Sequence, residues 1–349
     1  MRQHARGVAV VASFALVAAL FALTSGATAR THKAAAASAR CPYRFAVITH
    51  GDNGSFWSVV YKGARAAAAN LGCTLTEVYG SQQQGQAQPD DIAENAQIQN
   101  AINQHVNGIA VSDHDPALMN KTIAKAVKAG IPVVMLNAGC DPTDLAQTHA
   151  ITCVGQPETN AGFASGQRFK QLGKTNVLCI IHQSGQNLLD RCNGMARGLG
   201  AGSKCKTGNP PKQGPACTEI VLSTPDAASN PTQAVGQVQA YLQAHPQING
   251  IMALNNAIGA AVVALHPKAT IATFDLDPQV LQEVKQGKMA FIVDQQQFLQ
   301  GYLPIEFLYL YNKYDGNAAG IGNITQTGPL LVDKANAGQV QKAVNAGLN

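Results

Sequence analysis

The 349-residue chain has few charged side chains (13%), few aromatic side chains (5%) and only one tryptophan, Trp57. It also lacks several motifs that mark common enzyme classes. It contains no G-x-S-x-G nucleophile elbow, no P-loop, no G-x-G-x-x-G after the first predicted strand, and no CxxC or HExxH pair. These absences disfavour a serine hydrolase, a nucleotide-binding enzyme and a zinc site. No catalytic centre, metal site or cofactor site is therefore predicted.

The N-terminus has the features of a secretory signal peptide. Basic residues precede an apolar run over 8–23, and the small residues of 27–29 follow it. The run is shorter than the about 20 residues that a membrane-spanning helix needs. We therefore predict a cleaved signal peptide over 1–29, a disordered tether over 30–40, and export to the periplasm or the extracytoplasmic cell surface.

The net charge of +5 comes entirely from this leader. Five basic residues and no acidic one precede Cys41, and from Cys41 onward 20 Lys and Arg balance 20 Asp and Glu. A neutral body argues against nucleic acid or an anionic membrane as the partner.

Eight cysteines in an exported protein predict disulfides, although spacing alone does not select their pairing. We predict a nearest-neighbour scheme, because one pair brackets a loop without core-forming residues and another precedes two strands at the same edge of a sheet. The predicted pairs are Cys205–Cys217, Cys41–Cys73, Cys140–Cys153 and Cys179–Cys192.

Short apolar runs alternate with longer segments of helical period, which is typical of βαβ units in a parallel sheet. The predicted strands are 44–49, 74–79, 108–112, 132–136, 150–154, 176–181, 218–222, 249–253, 270–274 and 289–293. Ten strands are too many for one sheet, so two similar α/β halves are predicted.

Polar side chains recur at or just after the carboxyl ends of these strands, where open α/β sheets bind their ligands. The first strand leads into Asn53 and then Phe56 and Trp57, whose ring faces suit the C–H face of a sugar or polyol. Packing of the first helix is the alternative role for Trp57. The other strand-end positions are Ser112, Asp113, Asn137, Arg191, Asn255, Asp275 and Gln295.

Several segments together carry a family resemblance; they are 53–57, 130–137, 191–194, 244–256, 274–275 and 287–295. Their order and spacing resemble the periplasmic sugar-binding proteins of ABC transporters, close in pattern to the ribose-binding protein. The resemblance runs from about residue 43 to 335. It implies a monomeric, non-catalytic receptor without a cofactor that delivers a small sugar or polyol to a membrane permease.

The resemblance also implies the type 1 periplasmic binding protein fold. In that fold two Rossmann-like lobes, each a parallel sheet flanked by helices, are joined by a hinge of three crossing strands. The implied N-terminal lobe is 41–155 plus 296–325, and the implied C-terminal lobe is 156–295 plus 326–349.

Positions that match the family predict residue roles. Phe56 and Trp57 would stack on a sugar ring, and hydroxyls would be bound by Arg191, Asn255, Asp275 and Gln295. Asn, Asp, Gln and the Arg fork supply the paired donors and acceptors that vicinal hydroxyls need.

This chain departs from the ribose-binding pattern at three places. The ribose-binding relative has Asp-Arg at 137–138, where this chain has Asn-Ala, an Asn in place of Ser112, and an aromatic residue near Ser229. We therefore expect a ligand that is larger or differently hydroxylated than ribose. Replacement contacts could come from Asp113, His114, Gln156 and His182.

Two other functions compete with this interpretation. An exported carbohydrate hydrolase could use Asp52 and Asp275 as paired carboxylates. A sensor receptor for a sugar-like signal molecule would share the same site but have a different partner. A transcriptional regulator is disfavoured, because a signal peptide stands where a DNA-binding head would be.

Overall fold

The computed structural model describes residues 41–51, 54–79, 91–224, 227–316 and 323–349. The predicted signal peptide, the predicted tether and Asn53 lie outside the described residues. Within them, no helix combines the length and the apolar character needed to cross a membrane.

Strands and helices alternate along the described chain. The strands are β1 (Arg44–Thr49), β2 (Thr74–Tyr79), β3 (Gly108–Val111), β4 (Val133–Leu136), β5 (Thr152–Gly155), β6 (Asn176–Ile181), β7 (Ala216–Val221), β8 (Gly250–Ala253), β9 (Thr270–Phe274), β10 (Phe291–Asp294), β11 (Asn323–Gln326) and β12 (Leu330–Asp333). The helices are α1 (Ser55–Leu71), α2 (Asp91–Asn103), α3 (Pro116–Lys128), α4 (Pro142–Thr148), α5 (Glu158–Gln171), α6 (Gln186–Leu199), α7 (Pro231–Ala244), α8 (Asn256–Ala264), α9 (Pro278–Lys285), α10 (Gln297–Lys313) and α11 (Ala337–Asn345).

The strands form two six-stranded sheets, one in each lobe. The first has the order β11-β5-β4-β3-β1-β2 and is parallel throughout. The second has the order β12-β10-β9-β8-β6-β7, with β12 antiparallel to β10. The predicted architecture of two lobes, each with a sheet flanked by helices, is confirmed.

Helices cover both faces of each sheet, and the strands are buried accordingly. Every residue of β3, β4, β6 and β8 is buried, as in other parallel sheets. Successive residues contribute to opposite faces: Val177 and Cys179 belong to one core cluster of the second lobe, and Leu178 belongs to the other.

The chain passes between the two sheets three times: after β5, after β10 and between β11 and β12. These crossings place the carboxyl ends of the strands of both sheets on either side of one cleft. The lobe limits stated above stay predictions.

Glycines let two helix pairs approach closely. A Cβ at Gly162 or Gly166 of α5 would overlap the backbone of α6, and a Cβ at Gly63 of α1 would overlap the backbone of α10. The α5–α6 contact matters for the site, because it sets Glu158 against Arg191.

The sequence prediction missed four elements and shifted some strand ends by one or two residues. The missed elements are α4, β11, β12 and α11. The residues of β11 and β12 are mostly partly buried or exposed and form no long apolar run, and α4 has only seven residues. The alternation that reveals longer elements is therefore absent.

All eight cysteines are paired in four disulfides, and the predicted nearest-neighbour scheme is confirmed. Cys41–Cys73 joins the segments that precede β1 and β2, and Cys179 of β6 is bonded to Cys192 of α6.

Candidate functional site

A cavity of about 110 Å³ lies between the lobes at the strand ends. Seven of the ten predicted site residues line it: Phe56, Trp57, Asn137, Arg191, Asn255, Asp275 and Gln295. The lining also includes His50, Ser55, His182, Asn187 and Ser229. Its volume holds several water molecules and suits one ring rather than a long oligosaccharide.

Phe56 and Trp57 in the first turn of α1 form the aromatic wall. Their rings meet edge to face, with centroids 5.0 Å apart, and His50 meets the indole edge to face at 4.8 Å. Gly51 makes this packing possible, because a Cβ there would overlap the indole. The rings are nearly buried, at 8% and 9% exposure, and border the cavity.

Arg191 is held rigidly at the opposite side of the cavity. Its Nε and Nη2 each donate to a Glu158 carboxylate oxygen at 2.7 Å, and the guanidinium lies 4.5 Å from the Phe274 ring centre. Burial alone would lower the pKa of Arg191, but the Glu158 charge and hydrogen bonds outweigh it and raise the pKa. The arginine therefore stays charged although it is only 3% exposed.

A chain of amides and carboxylates links the two lobes. Gln295 Nε2 donates to Asp275 Oδ1 at 2.6 Å, and Gln295 Oε1 accepts from Arg191 Nη2 at 3.3 Å and Asn137 Nδ2 at 3.5 Å. Asn137 Nδ2 also donates to Gln300 at 3.1 Å. These bonds fix the direction in which each polar group faces the cavity.

Asn137 and Asp275 occupy similar positions in the two lobes. Asn137 follows β4 and Asp275 follows β9, with left-handed φ values of 60° and 70° that Asn and Asp tolerate better than most residues. Burial raises the pKa of Asp275 to about 7, although Arg191 and the Gln295 hydrogen bond oppose the shift. The carboxyl therefore changes charge near neutral pH.

Asn255 acts first as a helix cap. Its Oδ1 accepts from the backbone N–H groups of Ala257 at 2.8 Å and Ile258 at 3.3 Å, at the start of α8. Its acceptor is thus engaged, and the donors of Nδ2 remain for the cavity that the residue lines.

Two histidines complete the lining. His50 directly follows β1, and His182 directly follows β6. Burial, assisted by the positive charge of Arg191, lowers the pKa of His50 well below its usual value and that of His182 to about 3. Both rings are therefore neutral at pH 7, and each offers one donor and one acceptor nitrogen. Sequence reasoning included His182 as a replacement contact but missed His50.

Two of the other predicted site residues, Ser112 and Asp113, do not line this cavity. Ser112 lies behind His50, where its Oγ accepts from the His50 backbone N–H and is hydrogen-bonded to Nδ1, both at 2.9 Å. Asp113 lines a second cavity together with His114 and Gln156. Asn53 lies outside the described residues.

Hydrogen bonds between the lobes close the cleft around the cavity. Asn256 Nδ2 donates to Ser55 Oγ at 2.9 Å on one side, and His114 Nε2 is hydrogen-bonded to the Ser184 carbonyl at 2.7 Å on another. The structure therefore represents a closed form.

Within the described residues, one cluster of three metal-type side chains occurs: Cys192, Cys205 and Glu219. Both cysteines are disulfide-bonded, so neither offers a thiolate to a metal.

A family model described as a periplasmic binding protein domain matches residues 45–315. This chain is similar to a carbohydrate transporter from Acidothermus cellulolyticus whose structure was solved in complex with myo-inositol. The two sequences are 31% identical. The match covers 88% of this chain and 99% of that one, with a TM-score of 0.75.

Two further relatives are more distant. The xylose/arabinose-binding protein XylF of Sulfolobus acidocaldarius is 27% identical over 77% of this chain, and the match spans 66% of that protein, slightly less than two thirds. A solute-binding protein from Burkholderia graminis in complex with D-arabinose is 23% identical, covers 85% and 97% of the two chains, and has the same fold with a TM-score of 0.69.

The family model covers well over half of the chain, and both the two-lobed topology and the cleft between the lobes agree with it. This chain belongs to the periplasmic binding protein family.

Proposed function

We propose that this protein is an extracytoplasmic receptor that captures a small cyclic polyol or monosaccharide between its lobes and delivers it to the permease of an ABC transporter. The observation that carries the proposal is the composition of one cavity between the lobes. An aromatic wall from the first lobe faces a hydrogen-bonded set of Arg, Asn, Asp and Gln side chains that includes residues of both lobes.

This arrangement matches the two surfaces of a sugar ring. The Phe56 and Trp57 rings can cover the C–H face, while the polar groups pair with the hydroxyls at its edge. Because the polar groups are already oriented by one another, little ordering is needed when the ligand binds. A hydroxyl that is missing or inverted would leave a buried group unpaired, which gives selectivity.

The cavity and the relatives support a choice of ligand class. The cavity suits a single ring, and the relatives are described with myo-inositol, with D-arabinose, and by the name xylose/arabinose-binding. We place cyclitols and aldopentoses first. Ribose is not favoured, because Asn137 and Ala138 replace the Asp-Arg pair of the ribose-binding pattern.

The hydrolase alternative receives no support from the comparisons. Among the described residues that line the cavity, Asp275 is the only carboxylate, whereas glycoside hydrolysis uses a pair. Asp52, the second carboxylate of that hypothesis, lies outside the described residues. A receptor that binds and releases its ligand unchanged explains the site better.

Closure supplies the signal for delivery. Contacts from both lobes are available to the ligand only in the closed form, so ligand binding shifts the equilibrium towards it. We propose that the permease recognises this form and that the receptor acts as a monomer. Four disulfides agree with the oxidising compartment that export by the predicted signal peptide would reach.

A fluorescence titration tests the proposal. Trp57 is the sole tryptophan and lines the cavity. The mature protein, unfolded and refolded to remove any copurified ligand, is titrated with myo-inositol, D-arabinose, D-xylose, D-ribose and D-allose. A saturable change with a cyclitol or an aldopentose supports the proposal. No change with any of them, together with no shift in melting temperature, contradicts it.

A further inference from the structure

A second cavity, of about 980 Å³, lies between the lobes beside the first and shares Asn137 and Asn187 with it. Its lining is strongly acidic. The carboxylates are Asp91, Asp113, Asp115, Asp141, Asp144, Glu158 and Asp190. Among the described residues, the lining includes His114 but no lysine or arginine, so none of them adds a permanent positive charge to the cavity.

Four of these carboxylates have a structural role. Asp115 and Asp141 cap the N-termini of α3 and α4 through backbone N–H groups. Asp91 pairs with His114 at 3.0 Å, and Glu158 pairs with Arg191. Two others, Asp144 and Asp190, each accept a hydrogen bond from a side-chain amide.

Asp113 differs from all of them. It is only 1% exposed, and neither of its carboxylate oxygens has a hydrogen-bond partner among the described residues. Gln156, fully buried in the same lining, has an unpartnered Oε1 as well. Leaving a buried carboxyl unpartnered is unfavourable, and unpartnered oxygen acceptors call for a positive charge or a donor.

We propose that this acidic cavity binds a hydrated divalent cation of the Ca²⁺ or Mg²⁺ class, held by Asp113 together with carboxylates of both lobes. A lining in which carboxylate oxygens predominate favours hard cations. The carboxylate oxygens do not converge into a tight cluster of three among the described residues, so bound water bridges the ion to several of them.

The site links cation binding to lobe closure. Asp113 and Asp144 belong to the first lobe, whereas Glu158 and Asp190 belong to the second, so closing the cleft brings like charges together. A cation between them offsets this repulsion and favours the closed form.

Protonation is the alternative way to relieve the repulsion. Burial, followed by the charges of Asp144 and Asp115, raises the pKa of Asp113 to about 8. Asp91 acts in the same direction, His114 opposes it, and Asp113 in turn helps to raise the pKa of buried Glu94.

Calorimetry and thermal unfolding of the mature protein test the proposal without any sugar, so that failure here leaves the proposed function untouched. The protein is freed of metal with EDTA and titrated with CaCl₂ or MgCl₂ at pH 8. NaCl of equal ionic strength controls for screening, and 1,4-diaminobutane controls for organic cations. We expect saturable binding of a divalent salt and a higher melting temperature.

Matched variants locate the ion. Asp113→Asn and Asp190→Asn should each weaken binding by about tenfold, the order expected when one charged ligand is lost. Asp315→Asn, at an exposed position outside both cavities, should not. If Asp113→Asn fails to fold, Asp190→Asn decides. The proposal is overturned by stabilisation that NaCl reproduces, by a response to the diamine alone, or by unchanged divalent binding in the Asp190→Asn protein.

Discussion

Replacing Asp275 by asparagine removes one charge from the proposed sugar site and keeps the shape of the side chain. Asparagine also tolerates the left-handed backbone at this position, where φ is 70° and alanine would be strained. Asp275→Asn therefore isolates the contribution of the carboxylate.

The expected loss of affinity can be worked out from the site. Asp275 Oδ1 accepts from Gln295, which leaves the other carboxylate oxygen to accept from a ligand hydroxyl. A hydrogen bond to a charged group contributes about 1.5–3 kcal/mol. Loss of this contribution corresponds to a dissociation constant about 12- to 160-fold higher.

Without ligand, the Asp275→Asn protein should be no less stable than the wild type. Because burial raises the pKa of Asp275 to about 7, the folded state keeps a proton that the unfolded chain has already released above its ordinary pKa of 3.8. The contribution of Asp275 to stability therefore falls as the pH rises from about 4 to 7. Asparagine does not titrate, so the variant should be at least as stable as the wild type at pH 7.5.

Isothermal titration calorimetry measures the affinity, and urea unfolding without ligand measures the stability. Asp315→Asn is the matched control, since Asp315 is exposed and also has a left-handed φ, of 50°. An affinity within about threefold of the wild type would refute the assignment, because so small a change is below the contribution of one hydrogen bond. A variant that is destabilised without ligand would refute the reasoning on charge burial.

Three other predictions concern neighbouring features. Gly51→Ala places a Cβ against the Trp57 indole. The affinity for the ligand should therefore fall by about tenfold, the order of one aromatic contact, and the ligand-induced fluorescence change should become smaller. An unchanged fluorescence titration would contradict this prediction. Burial lowers the pKa of His182 to about 3, so this residue should make the free energy of unfolding of the wild type fall by about 1.4 kcal/mol per pH unit well below pH 6.5. Urea unfolding at pH 7.5 and pH 5 should show a smaller fall for His182→Gln than for the wild type. An equal fall in both proteins would exclude His182 as the cause. Replacing Cys41 and Cys73 by alanine removes a disulfide between residues 32 apart in sequence. The free energy of unfolding, measured in urea, should fall by about 3–4 kcal/mol. A fall of less than about 1 kcal/mol would show that this disulfide adds little stability.

The architecture could be predicted because most strands bury both faces. Runs such as 176–181, with all six residues buried, are visible in the sequence as apolar segments between turns. β11 and β12 escape this signal, because they are short, partly exposed and paired only at the sheet edges. Their place is set by the crossings of the chain, which no local pattern reveals.

Part of the candidate site could be predicted, because the carboxyl ends of strands from both sheets meet at one cleft. Ser112 and Asp113 also follow a strand end, but they do not line the first cavity. Successive residues leave an extended chain on opposite sides, so Ser112 supports His50 while the next residue enters the second cavity. His50 was not predicted as a site residue, because a single histidine after a strand is also typical of a turn. Its position matches that of His182 in the other lobe, and this equivalence would have been the signal.

A crystal structure of the protein with the sugar or cyclitol that binds best in the titration tests the central claim most directly. The account predicts one ring against Phe56 and Trp57, with hydroxyls hydrogen-bonded to Arg191 and Asp275 and both lobes in contact with the ligand. Ligand density elsewhere on the molecule, or in this cavity but bound by only one lobe, would contradict it.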